Sequence, residues 1–268
     1  MTLRRLHFEP PIQLLPNLFT AANFALGVRA ITLVLRGDQM YDHAALCIML
    51  AMLCDVFDGL VARLTHSTSA FGKEFDSLAD LVSFGVAPAV MVYSQSLVVY
   101  DGVEWKGFGQ FGFLICAIYA GCAALRLARF NAHADAEQRA FVGLPSPAAA
   151  GVIASYFMLL DTVAMPAIVV QVITRWILPV ATAVIGVLMV STVRYPAPAK
   201  TLLKRQHSFY IFAAIACVIA LLIANRGATL FVLFTGYMLL GIVRQCRKWF
   251  GTHHPTYPHP HGVQPSSS

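Results

Sequence analysis

The sequence predicts an all-α polytopic membrane protein with about eight transmembrane helices, and three observations carry that prediction. Hydrophobic residues fill 58% of the 268 positions and charged residues only 12%, about half the charged share of a soluble domain. Apolar runs of about 20 residues, the length that carries a helix across hydrocarbon, recur along the chain. Basic residues cluster in alternate connections between those runs. Because lipid leaves an open strand with unsatisfied backbone groups, each run is read as helix.

Taken in order, the runs fall near 15–36, 42–64, 76–100, 108–130, 146–165, 168–193, 208–225 and 228–246. The first follows Arg4 and Arg5 and resembles a signal peptide at its start, but it is too long for a removed apolar region. It is read as the first spanning helix, with residues 1–14 as an interfacial segment ahead of a single membrane domain over 15–246. The second and third runs are joined by the short connection "THSTSAFGKEF", which makes them antiparallel neighbours. "GLPSP" at 143–147 reads as a helix start, with Pro147 in the first turn and Ser146 as a candidate N-cap. Residues 247–268, rich in Pro and His, read as a disordered cytoplasmic tail. The six cysteines (Cys47, Cys54, Cys116, Cys122, Cys217 and Cys246) form no CxxC pair and are read as small packing residues.

The net charge is +6 and the pI near 9.1, a balance that in a soluble protein would suggest nucleic acid. Here topology accounts for it. With the N-terminus inside, inner connections and helix ends hold Arg4, Arg5, Arg63, Lys73, Arg126, Arg129, Arg139, Arg194, Lys200, Lys204, Arg205, Arg244, Arg247 and Lys248. The outer ones hold only Arg36, Lys106 and Arg226. Both termini are therefore expected in the cytoplasm, and no nucleic-acid partner is expected. Arg29 and Arg175 lie within apolar runs and are read as packing or headgroup contacts.

Four of the nine aspartates fall between residues 55 and 80. At about 100° per residue, Asp58 lies about −60° from Asp55, Gly59 about +40° and Ala62 about −20°. Two carboxylates and two very small residues thus share one helix face. On the next helix Asp76 and Asp80 are four residues apart, with Ser83 on the same side. Translocon scales put one Asp at about 2.5–3.5 kcal/mol at mid-membrane, so four require relief. A divalent cation relieves them, and an all-carboxylate set suits hard ions such as Mg²⁺ or Mn²⁺. Gly59, Ala62 and Gly72 clear space beside the backbone, and Arg63 adds positive charge. Metal, arginine and small residues together suit a diphosphate. Glycines for close helix packing explain any one of these glycines but not the carboxylates.

Written out, the stretch is Asp55-x2-Asp58-Gly59-x2-Ala62-Arg63-x8-Gly72-x3-Asp76-x3-Asp80. It resembles the complete motif of the CDP-alcohol phosphotransferase family, at every fixed position and spacing. Further stretches, "LPNLFTAANFALG" (15–27), "FGKEFDSLADLVSFGVAPA" (71–89), "ALRLARFN" (124–131), "FVGLPSPAAAG" (141–151) and "VSTVRYP" (190–196), are similar to the membrane-embedded phosphatidylserine synthases of that family. The resemblance implies the family's helical bundle and transfer of a phosphatidyl group from CDP-diacylglycerol to L-serine, with release of CMP. It implies Asp55, Asp58 and Asp76 as main metal ligands, and Asp80 as general base that also touches a second metal. It implies that Gly59, Ala62 and Gly72 admit the nucleotide, with Arg63 on phosphate and Asp58 and Ser83 also among the substrate-binding residues. The serine carboxylate needs a cation, for which Arg126, Arg129 and Arg194, with Asn131 beside the first two, are candidates. A homodimer in the bacterial inner membrane, with its site on the cytoplasmic side, completes the expectation.

Two alternatives stand beside this reading. One is a different acceptor, such as glycerol 3-phosphate or inositol phosphate, which would require a further basic pocket. The other is an ion-translocating bundle lined by aspartates, which leaves Gly59, Ala62, Gly72 and Arg63 without a role.

Overall fold

The computed structural model describes residues 14–36, 40–65, 69–96, 108–132, 142–163, 166–193, 195 and 217–251. Among these the chain is helical, with no strand. α1 spans Leu14–Leu35 and α2 spans Tyr41–Thr65. α3 is one rod made of Ala70–Asp80, a wider π turn at Leu81–Val86, and Ala87–Ser96. α4 spans Phe108–Ala132 and α5 spans Ser146–Thr162. α6 joins Ala167–Val172, a π turn at Ile173–Ile177 and Leu178–Val190. α7 covers 217–224, and α8 is Arg226–Gly251.

Six of these helices are long and apolar enough to cross a membrane. Their outward faces carry large apolar side chains, among them Leu35, Phe113 and Val232, each more than 60% exposed. In water such a surface would be an aggregation liability, whereas lipid solvates it. The chain is an integral membrane protein. α5 is shorter, at 17 residues, and is the central helix of the bundle. Every residue from Ala148 to Met158 is buried. Its small residues permit this: a Cβ on Gly151 would run into the Phe234 ring of α8. α5 packs against α2 and α8, α1 lies along α2, and α4 lies along α6.

Helix starts follow local chemistry. α3 begins six residues earlier than the apolar run predicts, because Ser69 accepts a hydrogen bond from the Gly72 amide at 2.9 Å and caps the helix. α8 is capped by Asn225, whose Oδ1 accepts from the Ala228 amide at 2.9 Å, and it continues to Gly251 rather than stopping near 246. Gly143, at φ 87°, donates its amide to Val193 O at 2.8 Å, and Leu144 donates to Leu188 O at 3.0 Å. A Cβ on Gly143 would collide with Met189 O, so only glycine lets this turn dock on the end of α6. Of the run predicted at 208–225, residues 208–216 lie outside the described residues, as do the terminal segments 1–13 and 252–268. All six cysteines are free thiols.

At the end of the bundle away from the aspartate motif, Arg226 of α8 bonds Asp42 of α2 at 2.6 Å and lies 3.9 Å from Asp161 of α5. One guanidinium thus ties three helix ends. Arg226→Ala should lower stability by about 1–2 kcal/mol, since it strips Asp42 of a charged partner. The check is the thermal midpoint in detergent.

Candidate metal centre and groove

The second half of α2 and the first half of α3 run antiparallel, and this places all four motif aspartates in one layer of the bundle. Carboxylate oxygens of Asp55, Asp76 and Asp80 lie within 4.8 Å of one another. Asp80 is 9% exposed and Asp58 5%. Asp58 stands beside this trio, facing Asp76 and Asp55. Oδ1 of Asp76 is buried and has no hydrogen-bond partner among the described residues. Clustered carboxylates repel one another, and an orphaned carboxylate oxygen costs free energy in a site with little water. An oxygen-only set of this kind fits a hard divalent cation, with Asp55, Asp76 and Asp80 as the residues that would hold it and Asp58 alongside.

α1 supports the cluster, a contribution the acid spacing did not reveal. Thr20 Oγ1 donates to Asp58 Oδ2 at 3.0 Å, and Asn23 Nδ2 donates to Asp80 Oδ1 at 3.1 Å. Thr20 is 3% exposed and Asn23 fully buried. Both bonds orient carboxylates from behind, as partners of metal ligands commonly do. The sequence signal was present: Asn17, Thr20 and Asn23 recur every three residues in the otherwise apolar first half of α1.

An open groove runs between α1, α2 and α3, lined by Asn17, Thr20, Asp58, Gly59, Ala62, Gly72, Lys73 and Asp76. The two motif glycines serve different ends. A Cβ on Gly59 would meet nothing within 4 Å, so helix packing does not require glycine there. That space is open for a ligand against the backbone. A Cβ on Gly72 would sit 3.1 Å from Ser69 Oγ and 3.2 Å from Asn17 Oδ1, so Gly72 also serves the approach of α3 to α1. Arg63 is exposed, and its Nε donates to Gly59 O at 2.8 Å, which lays the guanidinium over the groove's edge. Lys73 is a further cation on the groove that sequence reasoning did not assign.

The remaining sequence candidates separate. Ser83 is fully buried in the π turn and donates to the Asn23 backbone oxygen at 2.9 Å. A Cβ on Gly27 would strike Ser83, so this serine fastens α1 to α3 instead of facing the groove. A 3.6-residue period does not anticipate this π turn. Arg126 reaches Ser146, donating from Nη1 at 2.8 Å, and interacts electrostatically with Asp80 and Asp55. Ser146 is the first residue of α5 and is fully buried as Arg126's acceptor; the cap position belongs to Pro145. Arg129 is exposed and donates to Val190 O at 3.2 Å, at the end of α6. Asn131 donates to Ser77 Oγ at 2.9 Å, joining α4 to α3 one residue after Asp76. Arg194 lies outside the described residues.

The profile of the CDP-alcohol phosphatidyltransferase family matches residues 13–188, which includes every helix that contributes an aspartate. The CDP-diacylglycerol–serine O-phosphatidyltransferase of Helicobacter pylori is 34% identical over 87% of this chain and 92% of its own length. A protein of the same description from Methanocaldococcus jannaschii is 31% identical over 74% of this chain and 83% of its own. The archaetidylserine synthase of Methanothermobacter thermautotrophicus is 33% identical over 68% of this chain and 69% of its own.

Proposed function

The chain belongs to the CDP-alcohol phosphatidyltransferase family, and on that premise we propose that it transfers the phosphatidyl group of CDP-diacylglycerol to the hydroxyl of L-serine, giving phosphatidylserine and CMP. The observation that carries the proposal is the meeting of Asp55, Asp76 and Asp80 beside an open groove at Gly59. The serine specificity rests on the descriptions of the relatives matched along most of the chain.

The serine oxygen forms a bond to the phosphorus that carries diacylglycerol, and the bond from that phosphorus to the CMP oxygen breaks. Asp80 takes the hydroxyl proton, and CMP leaves with the electron pair of the broken bond. A bound divalent cation, Mg²⁺ or Mn²⁺, would supply charge neutralisation at the diphosphate and polarisation of the attacked phosphorus. Asn23 holds Asp80 through one carboxylate oxygen and leaves the other for the proton. Thr20 fixes Asp58 in the same manner. Gly59 and Ala62 let the nucleotide lie against α2, and Lys73 on the groove and Arg63 beside Gly59 contact its phosphates. Phe57 and Leu60, exposed on α2, face the bilayer, where the acyl chains can remain during transfer.

The proposal includes a cytoplasmic site and cytoplasmic termini, a sidedness that the distribution of basic residues supports, in a bacterial cytoplasmic membrane. The protein is taken to work as a homodimer. The test is acceptor competition: purified protein, CDP-diacylglycerol and Mg²⁺ or Mn²⁺, with CMP release measured for serine, glycerol 3-phosphate and inositol phosphate. Release that depends on serine supports the proposal. Release with glycerol 3-phosphate but not serine overturns the acceptor and leaves the family intact.

A further inference from the structure

Asn23 of α1 meets α3 at two points. Its Nδ2 donates to Asp80 Oδ1 at 3.1 Å, and its main-chain oxygen accepts from Ser83 Oγ at 2.9 Å. Asn23 and Ser83 are both fully buried. Asn23 and Gly27 lie about one turn apart on α1, as Asp80 and Ser83 do on α3, so each pair shares a helix face. Gly27 closes the contact: a Cβ there would run into both the side chain and the main chain of Ser83. Ser83 thus fixes the main chain of Asn23, and the Asn23 amide in turn reaches Asp80.

The amide does not complete the hydrogen bonding of the core. Its Oδ1 is buried and has no hydrogen-bond partner among the described residues. A buried acceptor left unpaired costs about 1–3 kcal/mol, and an apolar side chain of similar shape avoids that cost. What the amide supplies is one N–H on one oxygen of Asp80, which restricts rotation of the carboxylate. A general base must lie within hydrogen-bond reach of the proton it takes, so a displaced carboxylate slows the chemistry more than it weakens donor binding. On the reading given above, we infer that Asn23 and Ser83 are positioning residues for serine transfer. Asn23 holds the Asp80 carboxylate, and Ser83 acts through Asn23 by fixing the main chain from which the amide projects. The first helix, which carries no acid of the motif, thereby sets the geometry of the proton transfer.

The test compares wild type, Asn23→Leu and Ser83→Ala, each alone and combined with Asp80→Asn, in mixed micelles of CDP-diacylglycerol at saturating Mg²⁺ or Mn²⁺. Initial rates of labelled L-serine entering lipid give kcat and the KM for each substrate. Leucine fills the place of the amide without its N–H. Asn23→Leu should lower kcat about 10–100-fold, the loss that partners behind metal-site ligands command, while KM for CDP-diacylglycerol changes far less. Ser83→Ala should lower kcat in the same direction by a smaller factor. The thermal midpoint of Asn23→Leu should stay near that of wild type, because the orphaned Oδ1 leaves together with the N–H. In the Asp80→Asn background neither substitution should cost more than about twofold further, since the group they position is already gone. A contact that serves packing alone would multiply with Asp80→Asn and lower the thermal midpoint. That multiplied loss, an unchanged kcat in Asn23→Leu, or a loss that falls mainly on KM for CDP-diacylglycerol overturns the inference and leaves serine transfer standing. Wild-type protein that releases CMP without serine overturns both.

Discussion

Asp76→Asn should abolish transfer while the protein stays folded, and Asp55→Asn should do the same. The loss should exceed the roughly 100-fold that outer partners of a metal site command, because these carboxylates are placed to hold the ion themselves. Folding should survive for an electrostatic reason. Oxygens of three carboxylates lie within 4.8 Å of one another, with a fourth acid beside them. Turning one into an amide removes repulsion in the metal-free state. The variants should therefore match or exceed wild type in thermal midpoint when chelator is present. Wild type alone should gain stability on adding Mg²⁺ or Mn²⁺, by about 2.7 kcal/mol at a concentration 100 times the dissociation constant. Full activity in excess chelator, or an equal metal-induced shift in Asp76→Asn, would contradict the assignment.

Asp80→Asn separates binding from chemistry. The amide still offers Asn23 an acceptor at 3.1 Å, so the local arrangement persists. What disappears is the capacity to take the serine proton. General-base assistance of this kind contributes about 10²–10⁴-fold, and the turnover should fall by that range. Affinity for CDP-diacylglycerol in the presence of metal should fall far less than turnover does, since the proton moves only in the transition state. Asp55→Asn and Arg63→Ala should instead weaken nucleotide-lipid binding. Single-turnover rates and lipid-nucleotide affinities for the three variants check this. Near-normal chemistry in Asp80→Asn would assign the proton to another group.

Much of the architecture was legible because lipid removes alternatives: apolar runs of the right length can only be helices. The acid face of α2 was legible for a geometric reason, as a regular helix turns about 100° per residue. Thr20 and Asn23 were missed because their partners are 38 and 57 residues away in the chain, and only the packing of α1 brings them together. The π turn at Leu81–Val86, which carries Ser83, was not legible because it departs from the regular period on which the reading relied. The early start of α3 was written in Ser69, a cap residue sitting in a polar stretch that hydropathy alone treats as loop. The two glycines looked equivalent in sequence, and only the surrounding atoms show that Gly59 faces open space while Gly72 meets α1.

The central claim is that one site, built from α1, α2 and α3, moves a phosphatidyl group onto serine. Its most direct test follows both products of the same reaction: CMP in the aqueous phase and isotope-labelled L-serine in the extracted lipid. With wild-type protein, CDP-diacylglycerol and Mg²⁺ or Mn²⁺, one serine should enter lipid for each CMP released, and both should stop when chelator is added. CMP released without serine entering lipid would contradict the account.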